Sequence, residues 1–176
     1  RDYQLSIVEL SGSAERNVLL QADTGSGKTR ILAHIAKTKS RVICIAHRNI
    51  LIKQLSRELA KFGIDHSIIA TTHTRRMCIA EQRKIGNECF SSDTHFVSSI
   101  DSLLSRYRRG LLHLDVSAEW TIIVDEAHHM IDENKWGKLT TIFKNARIIG
   151  ATATPCRFDQ VSLARGQGGV FDTLIQ

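Results

Sequence analysis

Proline and long apolar runs are scarce in this sequence. One proline occurs in 176 residues, and no repeat, low-complexity tract or linker divides them, so we expect one domain with a substantial core. The longest apolar runs, such as VICIA and IIV, have the length of strands and fall far short of the roughly 20 residues that cross a bilayer. We therefore expect no membrane association. The first residues lack an initiator methionine and the basic and apolar parts of a signal peptide, so we expect an excised fragment.

Cysteine pairs of the kind that bind metals are also missing. The cysteines are scattered without a CxxC motif, and Cys44 lies in an apolar run, where a buried free thiol is expected. This usage fits a reducing, cytoplasmic setting. His73, Cys78, Cys89 and His95 occur close together in the chain, but their spacing matches no standard zinc finger. The sequence leaves open whether these four side chains meet.

Acidic residues are outnumbered by basic ones. The formal net charge of +6 permits a polyanionic partner without requiring one. Two basic pairs, Arg75–Arg76 and Arg83–Lys84, and the stretch RYRRG at residues 106–110 contribute to it. Each pair is interpreted as a solvated helix face or as a nucleic-acid contact, and for RYRRG the alternative is the polar end of a helix.

Short β-branched runs alternate with longer segments of helical spacing. The strand candidates are NVLLQA, RVICIA, HSIIA, HFVSS, WTIIVD and RIIGAT, and most are apolar on successive residues, as in strands buried on both faces. The helix candidates are KTRILAHIAKTK, NILIKQLSRELAKFG, RRMCIAEQRKIG, SLLSRYRRG and NKWGKLTTIFKNA, and Gly63 is a plausible helix stop. This order predicts an α/β fold with a mainly parallel sheet and helices on both faces. Ligands should bind at the carboxyl ends of its strands.

The segment ADTGSGKT lies between a predicted strand and a predicted helix. Its glycines allow backbone N–H groups to surround a phosphate, and the helix offers its positive N-terminus to the same anion. Lys28 is expected to reach the β- and γ-phosphates, and Thr29 to offer its hydroxyl to Mg²⁺. Ala22 replaces the usual first glycine. The predicted nucleotide-binding residues of this P-loop are Ala22, Asp23, Thr24, Gly25, Ser26, Gly27, Lys28 and Thr29. A glycine-serine turn with a chance lysine is the alternative.

The segment WTIIVDEAHH places two carboxylates at the end of a β-branched run. Asp125 is expected to hold Mg²⁺, usually through water, and Glu126 to orient and deprotonate the attacking water. The alternative is that DEAHH only caps a helix, whose dipole favours the two acids at its N-terminus. His128 and His129 lack the HExxH spacing of a zinc site, so the sequence gives no reason for a metal other than Mg²⁺.

Six segments occur in the order DYQ, ADTGSGKT, AHRNIL, VSSIDSL, DEAH and GATATP. In this series, from residue 2 to about residue 157, the chain resembles the first RecA-like domain of a superfamily-two helicase. The DEAH box with TATP resembles bacterial, phage and restriction-enzyme motor subunits rather than the DEAD-box RNA group. The resemblance implies ATP and Mg²⁺ as cofactors and nucleic acid, with DNA favoured over RNA, as a partner.

The resemblance also implies roles for individual residues. Gln4 would read the adenine edge, with Tyr3 and Arg1 near the base or ribose. Arg48 in AHRNIL would contact a phosphate of the nucleic-acid backbone. A polar helix residue and a solvated arginine are the respective alternatives.

In VSSIDSL, Ser99 and Ser102 would donate to phosphates. Asp101 departs from the family, where glutamine is frequent, and a carboxylate repels phosphate. We expect it to cap the next helix or to orient a neighbour.

The histidine of DEAH and the threonines of TATP imply a coupling role. By resemblance, His128 with Thr152 or Thr154 would connect the state of the γ-phosphate to the strand-binding surface. The alternative is a strand end with threonines chosen for β-propensity, which leaves His128 a spectator.

A motor of this kind needs a second RecA-like domain, which supplies an arginine finger. We expect this domain to lie outside residues 1–176, and this fragment alone to bind nucleotide weakly and hydrolyse it slowly. Three functions remain open: an ATP-driven nucleic-acid helicase or translocase, a P-loop enzyme of another class such as a small-molecule kinase, and a non-catalytic binding module.

Overall fold

The computed structural model describes residues 17–23, 25–89, 91–130, 135–154, 163–165 and 169–175. The strands are β1 (Val18–Gln21), β2 (Val42–Ala46), β3 (Ser67–Ile69), β4 (His95–Ser99), β5 (Thr121–Asp125), β6 (Arg147–Thr152) and β7 (Thr173–Ile175). The helices are α1 (Lys28–Lys37), α2 (Asn49–Lys61), α3 (Thr72–Lys84), α4 (Ile100–Arg108) and α5 (Lys135–Ile142), with a 3-10 turn at Ala127–His129. No helix in these ranges is long and apolar enough to span a membrane.

The strands form one sheet in the order β3-β4-β2-β5-β6-β1-β7. Every strand pair described in it is parallel. The predicted α/β sheet is therefore confirmed. Because strands β2, β5, β6 and β1 are consecutive neighbours, the loops at their carboxyl ends lie side by side, and these loops contain AHRNIL, DEAH, TATP and the P-loop.

Both faces of the sheet are covered, because its central strands are apolar on successive residues. Ile43 and Ile45 of β2 join the core cluster that includes α4 and α5, whereas Val42 and Cys44 join the cluster on the other face with α1 and α2. All five residues of β2 are buried. Each large apolar side chain buried in this way contributes roughly 1.5–3 kcal/mol. Cys44 is a buried free thiol, as the sequence predicts.

Helix α2 ends as the sequence predicts. Gly63 follows the helix with a φ of 67°. The amide of Gly63 donates to the carbonyl of Ala60 at 2.9 Å, and that of Ile64 donates to the carbonyl of Leu59 at 3.1 Å. These two bonds satisfy carbonyls at the helix end and form a Schellman motif.

Three buried polar side chains connect α2, α3 and the segment before β3. The hydroxyl of Ser56 lies 2.8 Å from Nε2 of His66, and the amide nitrogen of Gln82 lies 2.9 Å from that hydroxyl. All three residues are buried, so each polar atom needs its partner here. Burial lowers the pKa of His66.

The described elements differ from the sequence expectation at the ends of several helices, most clearly at the start of α3, and in one strand. Helix α3 begins at Thr72, three residues before the predicted RRMCIAEQRKIG segment, because the side chain of Thr71 accepts a hydrogen bond from the amide of Thr74. Strand β7 was not predicted. It has three residues and pairs with β1 at the sheet edge.

Candidate functional site

The P-loop follows β1 and leads directly into α1. Gly25 and Gly27 have φ values of 84° and 89°, a backbone conformation that side chains disfavour. Gly27 precedes the first residue of α1 and gives it no side-chain cap, so the first amides of the helix face the loop. The ammonium of Lys28 donates to the carbonyls of Ala22 at 3.0 Å and Asp23 at 3.3 Å. Glycine turns, uncapped helix amides and a lysine at the loop mouth fit a bound phosphate group.

The two carboxylates of DEAH lie beside this loop. Gly25, Gly27, Lys28 and Thr29 line one cleft of about 680 Å³ together with Asp125 and Glu126. The cleft continues along α2 past Leu51, Gln54, Arg57, Glu58 and Lys61. The structure thus brings four of the predicted P-loop residues and both carboxylates into one cleft.

Asp125 ends β5 and is 3% exposed. Burial raises its pKa to about 6, and the negative charge of Glu126 adds to that increase. The amide of Glu126, which donates to Asp125 Oδ1 at 3.1 Å, and the charge of Lys28 both oppose it. A buried carboxylate with a raised pKa beside a second carboxylate is typical of a functional site. A divalent cation bound here would favour the ionised form.

Glu126 has a left-handed backbone, with a φ of 56°. Among the described residues it is the only non-glycine residue with a positive φ, and the conformation costs roughly 1–2 kcal/mol for an L-residue. The chain turns sharply there, directly after β5. Sequence reasoning missed this strain, and no local signal in DEAH indicates it.

Gly150 of β6 allows the turn after Glu126 to lie close to the sheet. A Cβ at this position would lie 2.7 Å from Cβ of Ala127 and 2.5 Å from the ring of Phe171. A side chain here would therefore push the 3-10 turn away from β6. Sequence reasoning also missed this residue, because the close approach depends on which strands are neighbours.

His128 lies between Glu126 and the end of β6. Its Nδ1 is 3.1 Å from Oγ1 of Thr152 and 3.3 Å from Oε2 of Glu126. The hydroxyl of Thr152 donates to the carbonyl of Thr154 at 2.9 Å, so the proton between His128 and Thr152 belongs on Nδ1. The structure thus brings together His128 and Thr152, the first of the two threonines predicted for coupling. The amide of Thr154 donates back to the hydroxyl of Thr152 at 3.1 Å.

Arg48, Ser99 and Ser102 lie on the same edge of the sheet, near the ends of β2 and β4. Arg48 is exposed and directly precedes α2. Ser99 precedes α4, and its hydroxyl accepts from the amide of Ser102 at 3.1 Å. Asp101 was expected to cap α4 or to orient a neighbour. Ser99 is the cap instead, and Asp101 forms an exposed ion pair with Lys135 at 2.9 Å.

The four possible zinc ligands do not meet. Among the described residues no group of three or more histidine, cysteine, aspartate or glutamate side chains is arranged to hold a metal ion. His73 is exposed, and His95 Nε2 contacts the carbonyl of Ala36 at 3.2 Å. Cys78 and Cys89 are buried free thiols.

The two basic pairs are exposed on α3. Arg83 pairs with Glu88 and Lys84 with Glu81, as on a solvated helix face. Other expectations fall on residues outside the described ranges. These are the roles of Arg1, Tyr3, Gln4 and Thr24.

Comparisons with known proteins agree with this architecture. A family model described as "Type III restriction enzyme, res subunit" (ResIII) matches residues 1–157. No curated protein matches the sequence.

Three solved structures have similar folds. The Hef helicase domain of Pyrococcus furiosus is 20% identical, with a TM-score of 0.67 over 88% of this chain and 33% of that chain. A nuclease-deletion mutant of the Type ISP restriction-modification enzyme LlaGI, solved with a DNA substrate mimic, is 17% identical, with a TM-score of 0.62 over 99% and 19% of the two chains. The UvsW helicase of bacteriophage T4 is 13% identical, with a TM-score of 0.68 over 98% and 58%.

This chain therefore spans between 19% and 58% of the length of these three structures, and at such identities the likeness shows the fold. That fold confirms the predicted RecA-like architecture. Since the family model covers most of the sequence, the chain belongs to the family described as "Type III restriction enzyme, res subunit" and folds as a RecA-like domain of the superfamily-two helicase type.

Proposed function

We propose that this chain is the ATP-binding domain of a DNA helicase or translocase. The observation that carries the proposal is the single cleft lined by Lys28 and Thr29 of the P-loop and by Asp125 and Glu126 of DEAH. The positive charge of Lys28 is close enough to lower the pKa of Asp125, against the effect of burial. A cation from one strand end and two carboxylates from another strand end of the same sheet are the groups that phosphoryl transfer to water requires.

Each group has its own part in hydrolysis. Lys28 and the P-loop amides hold the β- and γ-phosphates. Glu126 orients a water molecule and takes its proton as that water attacks the γ-phosphorus, and the bond to the departing ADP breaks. Thr29 and Asp125 would hold Mg²⁺, which neutralises charge on the phosphates. His128, through its contact with Thr152, fixes the position of the Glu126 carboxylate.

The nucleic acid is proposed to bind along the neighbouring strand ends. Arg48 is exposed after β2, and the hydroxyls of Ser99 and Ser102 lie after β4. An exposed arginine and hydroxyl groups are suitable donors to backbone phosphates. The net charge of +6 favours a polyanion. The similarity to LlaGI, solved with a DNA substrate mimic, supports DNA over RNA.

A second RecA-like domain of the same protein is proposed to complete the ATP site. Lys28 and Thr29 are only partly buried, so the cleft is open on one side as far as the described residues enclose it. An arginine from a second domain typically accelerates such hydrolysis by about 10³–10⁵. We therefore expect residues 1–176 alone to bind ATP weakly and hydrolyse it slowly.

ATPase assays of the intact protein test the proposal. Turnover should rise with single-stranded or duplex DNA more than with RNA. Glu126→Gln should lower kcat by about 100-fold or more, because a general base is lost, and Lys28→Ala should weaken ATP binding. Matched controls are the exposed Glu119→Gln and Lys37→Ala, the latter at the far end of α1. Equal turnover with and without every nucleic acid, or an unchanged rate in Glu126→Gln, would contradict the proposal.

A translocase that moves on duplex DNA without separating its strands is the second candidate. The match to a family described as a restriction-enzyme subunit favours it. Displacement of a third strand from a triplex, without release of a labelled strand from a duplex, would distinguish translocation from unwinding. A P-loop enzyme that does not act on nucleic acid would instead phosphorylate a small acceptor and show no stimulation.

A further inference from the structure

A pair of histidine rings joins the loop after β2 to the turn after β5. The ring centroids of His47 and His129 are 4.3 Å apart, with an angle of 60° between the ring planes. His129 also packs against His128, with centroids 4.1 Å apart. His47 therefore contacts the 3-10 turn after Glu126 directly through His129, and reaches His128 through a second ring contact, although His129 lies 82 residues further along the sequence.

The sheet places these rings together. Strands β2 and β5 are neighbours, with Ile45 opposite Val124, so the residues just after each strand leave the sheet side by side. His47 is the first residue after β2, and His129 is the last residue of the 3-10 turn that follows Glu126. The contact is thus a consequence of topology rather than of sequence proximity.

The His47 side chain lies against the His129 ring and is partly buried. Its Nδ1 is buried and has no hydrogen-bond partner within the described residues. Burial and nearby positive groups lower the pKa of both rings, that of His129 to about 4. Two neutral rings can pack edge to face without charge repulsion.

Both ends of the pair adjoin groups with a proposed function. Arg48, the proposed phosphate contact, directly follows His47 and precedes the first turn of α2. At the other end, His128 lies 3.3 Å from the Glu126 carboxylate. A path of direct contacts therefore runs from Glu126 through His128 and His129 to His47 and the neighbouring arginine.

We propose that the His47–His129 ring pair is a positioning contact that couples nucleic-acid binding at the Arg48 loop to ATP hydrolysis at Glu126. The inference rests on the proposed function of the same site. The His128–Thr152 contact connects the 3-10 turn after Glu126 to the end of β6. The ring pair adds a second connection, from the same turn to the end of β2. Coupling between two sites is reciprocal. The ring pair should therefore affect both the stimulation of ATP hydrolysis by DNA and the effect of bound nucleotide on DNA affinity.

The test uses the intact protein with His47→Ala, His129→Ala and the double variant. Each variant is assayed for ATPase activity with and without DNA, and for DNA affinity with and without a non-hydrolysable ATP analogue. We expect basal turnover and nucleotide-free DNA affinity within about twofold of the unsubstituted protein. The stimulation by DNA should fall about fivefold or more, and the effect of the analogue on DNA affinity should fall equally. The double variant should be no worse than either single variant.

Two further variants separate the ring contact from general packing. His34→Ala removes another edge-to-face histidine contact, with Phe62 at 5.5 Å, and should leave stimulation unchanged. His47→Phe keeps a ring at the contact and should retain most of the stimulation even if His47→Ala folds poorly. Thermal unfolding of every variant checks folding.

Several results would overturn the inference. Unchanged stimulation in the single variants, additive losses in the double variant, or an equal fall in basal and stimulated rates would each do so. A His47→Phe variant as impaired as a folded His47→Ala would also contradict it. Absence of stimulation in the unsubstituted protein would refute the proposed function instead, so the two failures are distinguishable.

Discussion

Replacing Asp125 by asparagine should stabilise the nucleotide-free protein while removing the proposed Mg²⁺ ligand. Asp125 is 3% exposed, and burial raises its pKa from 3.8 to about 6. At 1.36 kcal/mol per pKa unit, its ionised form costs about 3 kcal/mol at neutral pH. Asparagine keeps the acceptor for the Glu126 amide but buries an amide group that needs its own partners, at about 1–3 kcal/mol. The net gain should be up to about 2 kcal/mol.

Thermal unfolding in the presence of a chelator measures this gain. For a domain of this size, it should raise Tm by up to about 8 °C at pH 7.5. The folded-state pKa of Asp125 is higher than its unfolded value, so the folded protein binds the proton more tightly. The unsubstituted protein therefore gains stability from this group as the pH falls from about 6 to 3.8. The advantage of Asp125→Asn should shrink over the same window.

The exposed Asp93→Asn is the matched control, and it should change stability by less than about 0.5 kcal/mol. A lower Tm for Asp125→Asn at pH 7.5, or an advantage that does not change between pH 7.5 and 4, would refute the reasoning. ATP with Mg²⁺ should raise the Tm of the unsubstituted protein and of Asp93→Asn more than that of Asp125→Asn.

Two further substitutions test the surroundings of the site and the buried polar cluster. Gly150→Ala should destabilise the protein by about 1–3 kcal/mol, because its Cβ would overlap Ala127 and Phe171, and it should also lower ATPase activity by moving the DEAH turn. Equal stability and activity in denaturant unfolding and ATPase assays would contradict that packing. His66→Gln should make stability less sensitive to acid, because burial lowers the folded-state pKa of His66 and the unfolded chain then takes up a proton first as the pH falls below about 6.5. Between pH 6.5 and 5.5 the unsubstituted protein should lose up to about 1 kcal/mol of unfolding free energy relative to the variant, and a constant difference would disprove this.

The sequence predicted the central strands because their apolar character is local. VICIA is apolar on every residue and TIIVD on its three central residues, and such successive apolar residues occur when both faces of a strand are covered. Strand β7 lacks this signal. Its residues Thr173–Ile175 are half exposed, and they become a strand because β1 offers a free edge beside them. That edge depends on the order of strands in space, which periodicity does not contain.

The candidate site also has features that the sequence predicts and features that depend on the fold. Lys28, Asp125 and Glu126 were predictable because their chemistry is written in short motifs. The left-handed backbone of Glu126 and the need for glycine at position 150 were not, because both arise where the turn after β5 meets β6. The start of α3 could not be predicted from apolar periodicity. It depends on the capping hydroxyl of Thr71, a single side chain that does not change the periodic pattern.

The position of β5 explains why the turn that follows it contacts two other strand ends. It lies between β2 and β6, so the residues after Asp125 can contact both neighbouring strand ends. His128 contacts Thr152 on one side, and His129 contacts His47 on the other. The same turn contains a strained backbone at Glu126 and follows a desolvated carboxylate, both of which raise its free energy without ligand. A bound nucleotide that relieves this cost would change the energy of contacts on both sides, which is the condition for coupling between separate sites.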